Sequence, residues 1–174
     1  MGSIVFAMVL ALHAASTLQG PMIVERSRVG PIALGATADS IYQEFGDRAR
    51  LIDLKLEGML SPALELKLFG AQVVPSVIAE IGPVNNRLIV TRIRVVDPSL
   101  RTKDGIGVGS TYMELRSRYA IDWVGSGEGT FIARVEALGI SFELETSGPK
   151  PLWSIRDPNE VPKDVRVVGM MLTR

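Results

Sequence analysis

The sequence predicts an α+β fold of two tandem repeats, each a short strand, a helix and a four-stranded antiparallel meander, with each sheet carrying its helix on one face. A short motif around Gly35 recurs around Gly109, 74 positions later in the 174-residue chain. After each copy, apolar residues first follow a helical spacing and then alternate with polar residues, as half-buried strands do. A repeated motif followed by repeated strands indicates a duplicated unit. The matched pairs are Ile32 with Ile106, Gly35 with Gly109, and Thr37 with Thr111.

Each motif copy predicts a strand, a turn and the start of a helix. The strands are 32–34 and 106–108, and a glycine turns the chain after each of them. Thr37 and Thr111 then stand at the N-cap position, where a hydroxyl accepts a bond from an unpaired first-turn amide. Glu114 completes a Thr-x-x-Glu capping box in the second copy. Both helices are short, so we expect them to depend on packing against a sheet.

Alternating segments predict four strands after each helix. They are 51–57, 64–68, 76–81 and 87–95 in the first half, and 121–124, 130–136, 140–145 and 165–172 in the second. We predict a flexible turn at the glycine-rich stretch 125–129 and a long proline-containing loop at 147–162. The repeats span 29–96 and 104–172 and pack as one globular unit, because about 75 residues without a disulfide make a marginal core. We predict a charged edge at the short connection 97–104 between them.

The composition excludes several classes of function. Nineteen basic and 19 acidic residues cancel, which removes the positive charge typical of a nucleic-acid-binding protein. The chain has no cysteine, and its one histidine is His13. Cysteine and histidine zinc sites, histidine triads and cysteine nucleophiles are therefore excluded after residue 13. We predict no cofactor and no metal.

The first 16 residues resemble a secretory signal peptide. They carry no charge, and 4–12 is a continuous apolar run followed by small residues. Such a run is too short for a stable membrane-spanning helix. No Lys or Arg precedes it, which departs from the usual pattern. We predict a signal peptide at 1–16, a periplasmic or secreted chain and no stable membrane insertion after cleavage; the alternative is a cytoplasmic protein with a buried N-terminal segment.

The Gly-x-Thr motif with its helix and following strands resembles a group of bacterial envelope modules. It is similar to the tandem repeat of the secreted β-lactamase inhibitor proteins and to the small lipoproteins of the outer-membrane barrel-assembly machinery. The resemblance covers residues 29–172 and rests on the motif positions Gly35, Thr37, Gly109 and Thr111. It implies a short helical element against an antiparallel sheet and a function in binding other proteins. It transfers no inhibitory residue, and the chain lacks the cysteines for a lipid anchor or disulfides.

Charged residues on the strands offer one route to catalysis. The pairs Asp53/Glu57 and Glu143/Glu145 suggest a carboxylate-based hydrolase. On a strand, however, residues two or four apart share one face, so we predict a solvated sheet face for these acids. The same reasoning predicts ion pairs, or a basic stripe for an acidic partner, for the outward arginines Arg92, Arg94, Arg134 and Arg166.

A glycine-rich segment opens the second helix and offers a phosphate site. Residues 105–109 hold three glycines before the helix, whose N-terminus attracts anions. The segment lacks the Lys-Ser/Thr of a Walker loop and the glycine spacing of a dinucleotide fingerprint. We therefore interpret it as a strand and a turn.

The two tryptophans are the remaining candidates for a binding site. Trp153 lies in the long loop, where it either anchors a partner or folds back over the sheet edge. We predict a non-catalytic module that binds another envelope or secreted protein, with Trp153 as anchor and Arg134 or Arg166 beside it. The alternatives are a small-ligand or lipid carrier, which requires a sizeable apolar cavity, and the hydrolase. The oligomeric state stays open.

Overall fold

The computed structural model describes residues 22–56, 58–69, 74–127, 129–147 and 152–173. In these ranges the chain is an α+β protein with two sheets and two short helices, which confirms the predicted fold class. The predicted signal peptide 1–16 lies outside the described residues. No helix in these ranges has the length and apolar character needed to cross a membrane.

The elements of the first half begin with three short strands and continue with a helix and four long strands. They are β1 (Ile23–Glu25), β2 (Arg28–Val29), β3 (Ile32–Ala33), α1 (Ala38–Phe45), β4 (Ala49–Leu56), β5 (Met59–Leu66), β6 (Val77–Val84) and β7 (Arg87–Val95). The second half begins at a two-residue strand. Its elements are β8 (Arg101–Thr102), α2 (Tyr112–Arg118), β9 (Trp123–Gly127), β10 (Thr130–Val135), β11 (Ile140–Leu144) and β12 (Val167–Thr173).

The eight long strands form one antiparallel sheet in the order β4-β5-β6-β7-β12-β11-β10-β9. Each half supplies one meander of four strands, and the last strands of the two halves, β7 and β12, pair at the centre. We expected each helix to have its own sheet, and this expectation was wrong because the central pairing joins the meanders. A second small sheet has the order β3-β2-β1-β8, in which β1 runs parallel to β8.

Both helices begin at the predicted threonines. The Thr37 Oγ1 accepts a bond from the Ser40 amide at 3.2 Å, and the Thr111 Oγ1 accepts one from the Glu114 amide at 3.2 Å. The Glu114 carboxylate accepts the Thr111 amide at 2.7 Å, which confirms the capping box. Two orphan amides are thereby satisfied at the start of α2.

Equivalent backbone hydrogen bonds in the two halves join each motif to the last strand of its half. The Gly35 amide donates to the Val90 carbonyl on β7, and the Val90 amide donates back to Ala36, both at 2.8 Å. In the second half, the amide of Gly109 donates to Val167 on β12, and the amide of Val167 donates to Ser110, again both at 2.8 Å. Each helix is therefore fixed to the central pair of strands in the same way.

The core lies between the helices and one face of the large sheet. Buried residues of α1 and α2 belong to one apolar cluster with buried residues of all the long strands of the second half. The loop before β12 also enters this cluster, through three apolar side chains. The largest contributors that are fully buried are Tyr112, Phe131 and Phe142, and the loop supplies Leu152, Ile155 and Val161.

The glycine-rich stretch after Trp123 is not a flexible turn, which corrects the prediction. Gly125 to Gly127 belong to β9 and pair with β10. Gly129 takes a positive φ of 75°, which glycine adopts readily. The absence of a side chain at Gly125 makes room for the indole of Trp123, so this glycine serves packing.

The start of the second repeat differs from the first. The predicted strand 106–108 is absent from the described residues there, and Gly107 forms only an isolated bridge to Arg101. A Cβ on Gly107 would lie 2.6 Å from the carbonyl oxygen of Leu100, so this glycine permits a close backbone approach. In the connection before it, Leu100 is buried in the core cluster and Thr102 of β8 is buried too.

A candidate binding surface at the β9 edge of the sheet

One face of the large sheet carries the core, and the other, here called the open face, carries both charged and apolar side chains. On β10 the buried residues Phe131, Ala133 and Val135 alternate with partly exposed ones. Arg134 therefore points to the open face. The predicted ion pairs of the strand arginines are confirmed for Arg92 with Glu80 at 3.2 Å, Arg94 with Glu143 at 2.5 Å, and Arg134 with Glu136 at 3.1 Å.

The open face is strongly curved. A cavity of about 180 Å³ on this face is lined both by Leu54 of β4 and by Thr130 of β10. Those strands are six positions apart in the sheet order, which would separate them by roughly 29 Å in a flat sheet with 4.8 Å between neighbours. A cavity this small cannot bridge such a distance. The sheet therefore curls, and its two ends approach each other across the open face.

An ion pair on the open face links the two halves across their central strands. The guanidinium of Arg94 on β7 donates from Nε and Nη2 to Oε2 of Glu143 on β11, at 3.0 and 2.5 Å. The strand between them is β12, and Gly169 stands opposite Glu143 there. A Cβ on Gly169 would lie 2.5 Å from Oε2 of Glu143, so the absence of a side chain on Gly169 leaves room for the carboxylate. The Glu143 side chain is only 3% exposed.

Trp123 lies on the open face at the end of the sheet. It stands on β9 directly opposite Arg134 of β10, and its side chain is 44% exposed. A Cβ on Gly125 would lie 2.4 Å from Cζ2 of the indole, so the ring lies against this glycine. Arg134 is held in turn by Glu136 and by the hydroxyl of Ser141. A tryptophan two positions before a glycine is a sequence signal for this arrangement, but the glycines suggested a turn.

Trp153 lies beside the same strand. It belongs to a short 3₁₀ turn, Leu152–Ser154, that packs next to β9. Its neighbour Leu152 is buried in the core, whereas Trp153 is 43% exposed. The loop is thus fixed by Leu152, and the indole of Trp153 stays accessible. The structure therefore places Trp153, Trp123 and Arg134 around β9.

Helix α2 holds the long loop in position. The Tyr112 hydroxyl donates to the carbonyl of Pro158 at 2.8 Å, and Arg116 donates to Oδ1 of Asn159 at 2.7 Å. Burial raises the pKa of Tyr112 to about 12; the nearby Arg116 opposes this and Asp157 adds to it. The hydroxyl therefore keeps its proton, and the bond to the loop, over the whole neutral range.

Arg166 does not belong to this surface. Its guanidinium donates to the carbonyl of Gly109 at 3.0 Å, so it lies at the second motif near the start of α2. Hydrogen bonds from Thr111 lower the pKa of Glu114 there, with Arg101 and Arg166 as smaller contributors. Arg101 donates to the carbonyls of Gly105 and Val108. This segment is thus a turn held by arginines, which agrees with the turn but not with the strand of the sequence interpretation.

The predicted acid pairs have different surroundings. Glu143 was expected on a solvated face, and this was wrong because it is buried against Arg94. Glu145 is exposed and accepts a bond from the Ser147 hydroxyl, and Asp53 is exposed as predicted; Glu57 lies outside the described residues. Within the described ranges no group of three or more His, Asp or Glu side chains could hold a metal ion.

Comparison with known proteins gives information about the fold and about nothing else. No family model and no curated protein matches the sequence. The chain is similar to the crystal structure of the uncharacterized protein YfeY from Escherichia coli, with a TM-score of 0.63 and 17% sequence identity. The likeness covers 87% of this chain and 99% of that one. At this identity it shows that the two proteins have the same kind of fold.

Proposed function

We propose that this protein is a non-catalytic module that binds another protein through the surface around β9. This β9 surface consists of Trp123, Arg134 and Trp153. The observation that carries the proposal is the pair of half-exposed indoles on and beside one edge strand of the sheet. Tryptophan and arginine are the residues most often found to dominate the binding energy of protein interfaces.

The rigidity of the β9 surface supports a role in binding. Trp123 lies against Gly125, Arg134 is held by Glu136 and Ser141, and Trp153 follows the buried Leu152. Side chains held in this way lose little conformational entropy when a partner binds. Surface aromatic residues without a partner would gain nothing from such positioning.

We also propose that the chain is a tandem repeat. Two observations support it: the matched backbone bonds of the Gly35 and Gly109 motifs to Val90 and Val167, and the mirrored order of the two meanders in the sheet. The resemblance to envelope modules that bind proteins, together with the signal-like segment 1–16, supports an exported protein whose partner is another envelope or secreted protein. The tandem repeat and the export of the protein are both proposals.

The two alternatives have less support from the described residues. Charged Glu80, Arg94 and Glu143 and apolar Leu54, Ile78 and Met171 line the cavity on the open face. Its volume of about 180 Å³ is smaller than the about 300–1,000 Å³ typical of ligand sites. That argues against a carrier of lipids or small apolar ligands. The acid pairs argue against a hydrolase, because Glu143 is buried in an ion pair with Arg94 while Glu145 is exposed.

Affinity capture with matched variants tests the proposed function. The immobilised wild-type protein is compared with Trp123→Ala, Trp153→Ala and the control Leu51→Ala in an extract of the producing cells. Leu51 is an equally apolar, 58% exposed side chain on the opposite edge strand β4. We expect one dominant partner whose recovery falls about tenfold or more with either tryptophan variant and stays unchanged with Leu51→Ala. Equal recovery by all four proteins would contradict the proposal.

A further inference from the structure

We propose that a second surface of this protein, formed by the ends of two hairpins, binds the surface of a phospholipid membrane. This hairpin-end surface consists of Met59 and Leu60 at the start of β5, Val84 at the end of β6, and Leu88 on β7. It belongs to the first half of the sheet, apart from the β9 surface, and does not rest on the proposed function. The contact is peripheral and reversible: the side chains enter the headgroup region, and no lipid is carried in a cavity.

The four side chains of the hairpin-end surface are apolar and exposed to solvent. Met59 and Leu60 are each 70% exposed, and no other large apolar side chain that the structure describes is exposed as much. Val84 is 41% exposed and Leu88 is 46% exposed. A group of exposed apolar side chains at one place on a protein marks a site for another protein or for a membrane.

These side chains lie together at one end of the sheet. The β4–β5 and β6–β7 hairpins are neighbours in the antiparallel strand order, so their turns point the same way. In the described residues β5 and β6 pair no nearer to the turns than Ala63 and Glu80, and the same register continued to the strand ends places Met59 level with Val84. The two hairpins therefore end as separate projections that stand side by side.

The apolar side chains project to both sides of the hairpins, which favours a membrane over a protein partner. By the alternation along β5 and β6, Met59 and Val84 lie on the side of the open face. Leu60 follows Met59 and therefore points to the other side. Leu88 does so too, because it pairs with Pro83, the residue before Val84. A flat surface of a partner or of a second copy covers one side only, whereas the headgroup region surrounds a projection that enters it.

Each hairpin end also carries a cation opposite one of its apolar side chains. Lys55 pairs with Leu60 across β4 and β5, and Arg87 pairs with Val84 across β6 and β7. Within the described ranges neither cation forms an ion pair. Glu57 is the one acidic residue in the stretches 55–60 and 83–88, and it lies outside the described residues. Cations beside apolar side chains complement a membrane surface, because they reach the lipid phosphates while the apolar groups enter beneath them.

Single-cysteine labelling tests the proposal, because the chain has no cysteine of its own. A fluorophore sensitive to its environment is attached at Met59→Cys, at Leu88→Cys, and at the control Leu51→Cys, an exposed apolar position on β4 away from the hairpin ends. Vesicles of phosphatidylethanolamine and phosphatidylglycerol are then added. We expect the emission to rise and shift to shorter wavelength at positions 59 and 88 and to stay unchanged at 51. An equal response at all three positions would overturn the proposal, and so would a response without vesicles that grows with protein concentration, since a second copy would then cover the hairpin ends.

Cosedimentation with the same vesicles supplies the second readout. We expect the double variant Leu60→Ser, Leu88→Ser to lower the ratio of bound to free protein about tenfold or more, because two apolar side chains no longer enter the membrane. Leu51→Ser should bind like wild type. Trp123→Ala should also bind like wild type, since the β9 surface takes no part. Loss of binding with Trp123→Ala but not with the double variant, or no binding of wild type to vesicles, would overturn the proposal.

Discussion

Replacing Arg94 by alanine is expected to lower the free energy of unfolding by about 2–3 kcal/mol. The change removes the cation that holds Glu143, whose side chain is 3% exposed, and leaves a buried carboxylate without its partner. The figure stays at the low end for a buried pair because the Arg94 side chain is itself 45% exposed, so water can partly replace it. Urea unfolding followed by circular dichroism measures the effect.

A matched exposed pair supplies the control for Arg94. Arg50 and Glu65 form an ion pair at 2.5 Å on β4 and β5, but the Arg50 side chain is 73% exposed. We expect Arg50→Ala to cost under about 1 kcal/mol. The double variant Arg94→Met, Glu143→Gln should recover part of the loss, because it leaves no unpaired charge. If Arg94→Ala and Arg50→Ala lower the free energy of unfolding equally, the pair of Arg94 and Glu143 stabilises the protein no more than an exposed ion pair does.

Alkaline pH is expected to destabilise the protein through Tyr112. Burial raises the folded-state pKa of this hydroxyl from 10.0 to about 12. Because the folded pKa lies above the unfolded one, the contribution to stability is complete below pH 10 and is lost as the pH rises to 12. A difference of about two pKa units corresponds to about 2.7 kcal/mol. Unfolding in urea across this pH range measures the loss.

The variant Tyr112→Phe isolates this contribution. It removes the bond to Pro158, which costs roughly 1 kcal/mol at neutral pH, and it removes the titrating hydroxyl. Burial also raises the pKa of Tyr119, which remains in both proteins and cancels in the comparison. The stability of wild type should therefore fall more steeply than that of the variant between pH 10 and 12. Parallel profiles would show that Tyr112 ionises in the folded state as freely as in the unfolded one.

Local signals predicted most of the fold. Thr37, Thr111 and Glu114 have roles that depend on a few neighbouring residues, and the alternation of apolar and polar residues marked the long strands to within a few positions. β5 begins at Met59, five residues before the predicted start at 64. Pro62 is tolerated because β5 pairs with β6 only from Ala63 onward, so its missing amide faces no neighbouring strand.

The candidate site was predicted in part, because it depends on which strands become edges. The sequence predicted a partner-binding role for Trp153, with Arg134 or Arg166 beside it. Trp153 and Arg134 lie around β9, whereas Arg166 lies at the second motif. Trp123 was named as a candidate but was not placed in the predicted site, and Gly125 and Gly127 after it were predicted to form a turn. The pairing of β7 with β12 and the burial of Glu143 beside Gly169 are long-range consequences of the strand order. No local pattern carries that information.

Site-specific photo-crosslinking from position 126 tests the central claim most directly. A photoreactive residue replaces Ser126, an exposed side chain on β9, in cells that make the protein, and a second protein carries it at Asp53 on the opposite edge. The account predicts a crosslink to one other protein from position 126, lost when Trp123→Ala is added, and no such crosslink from position 53. Crosslinks of equal yield from both positions, or none from position 126, would contradict it.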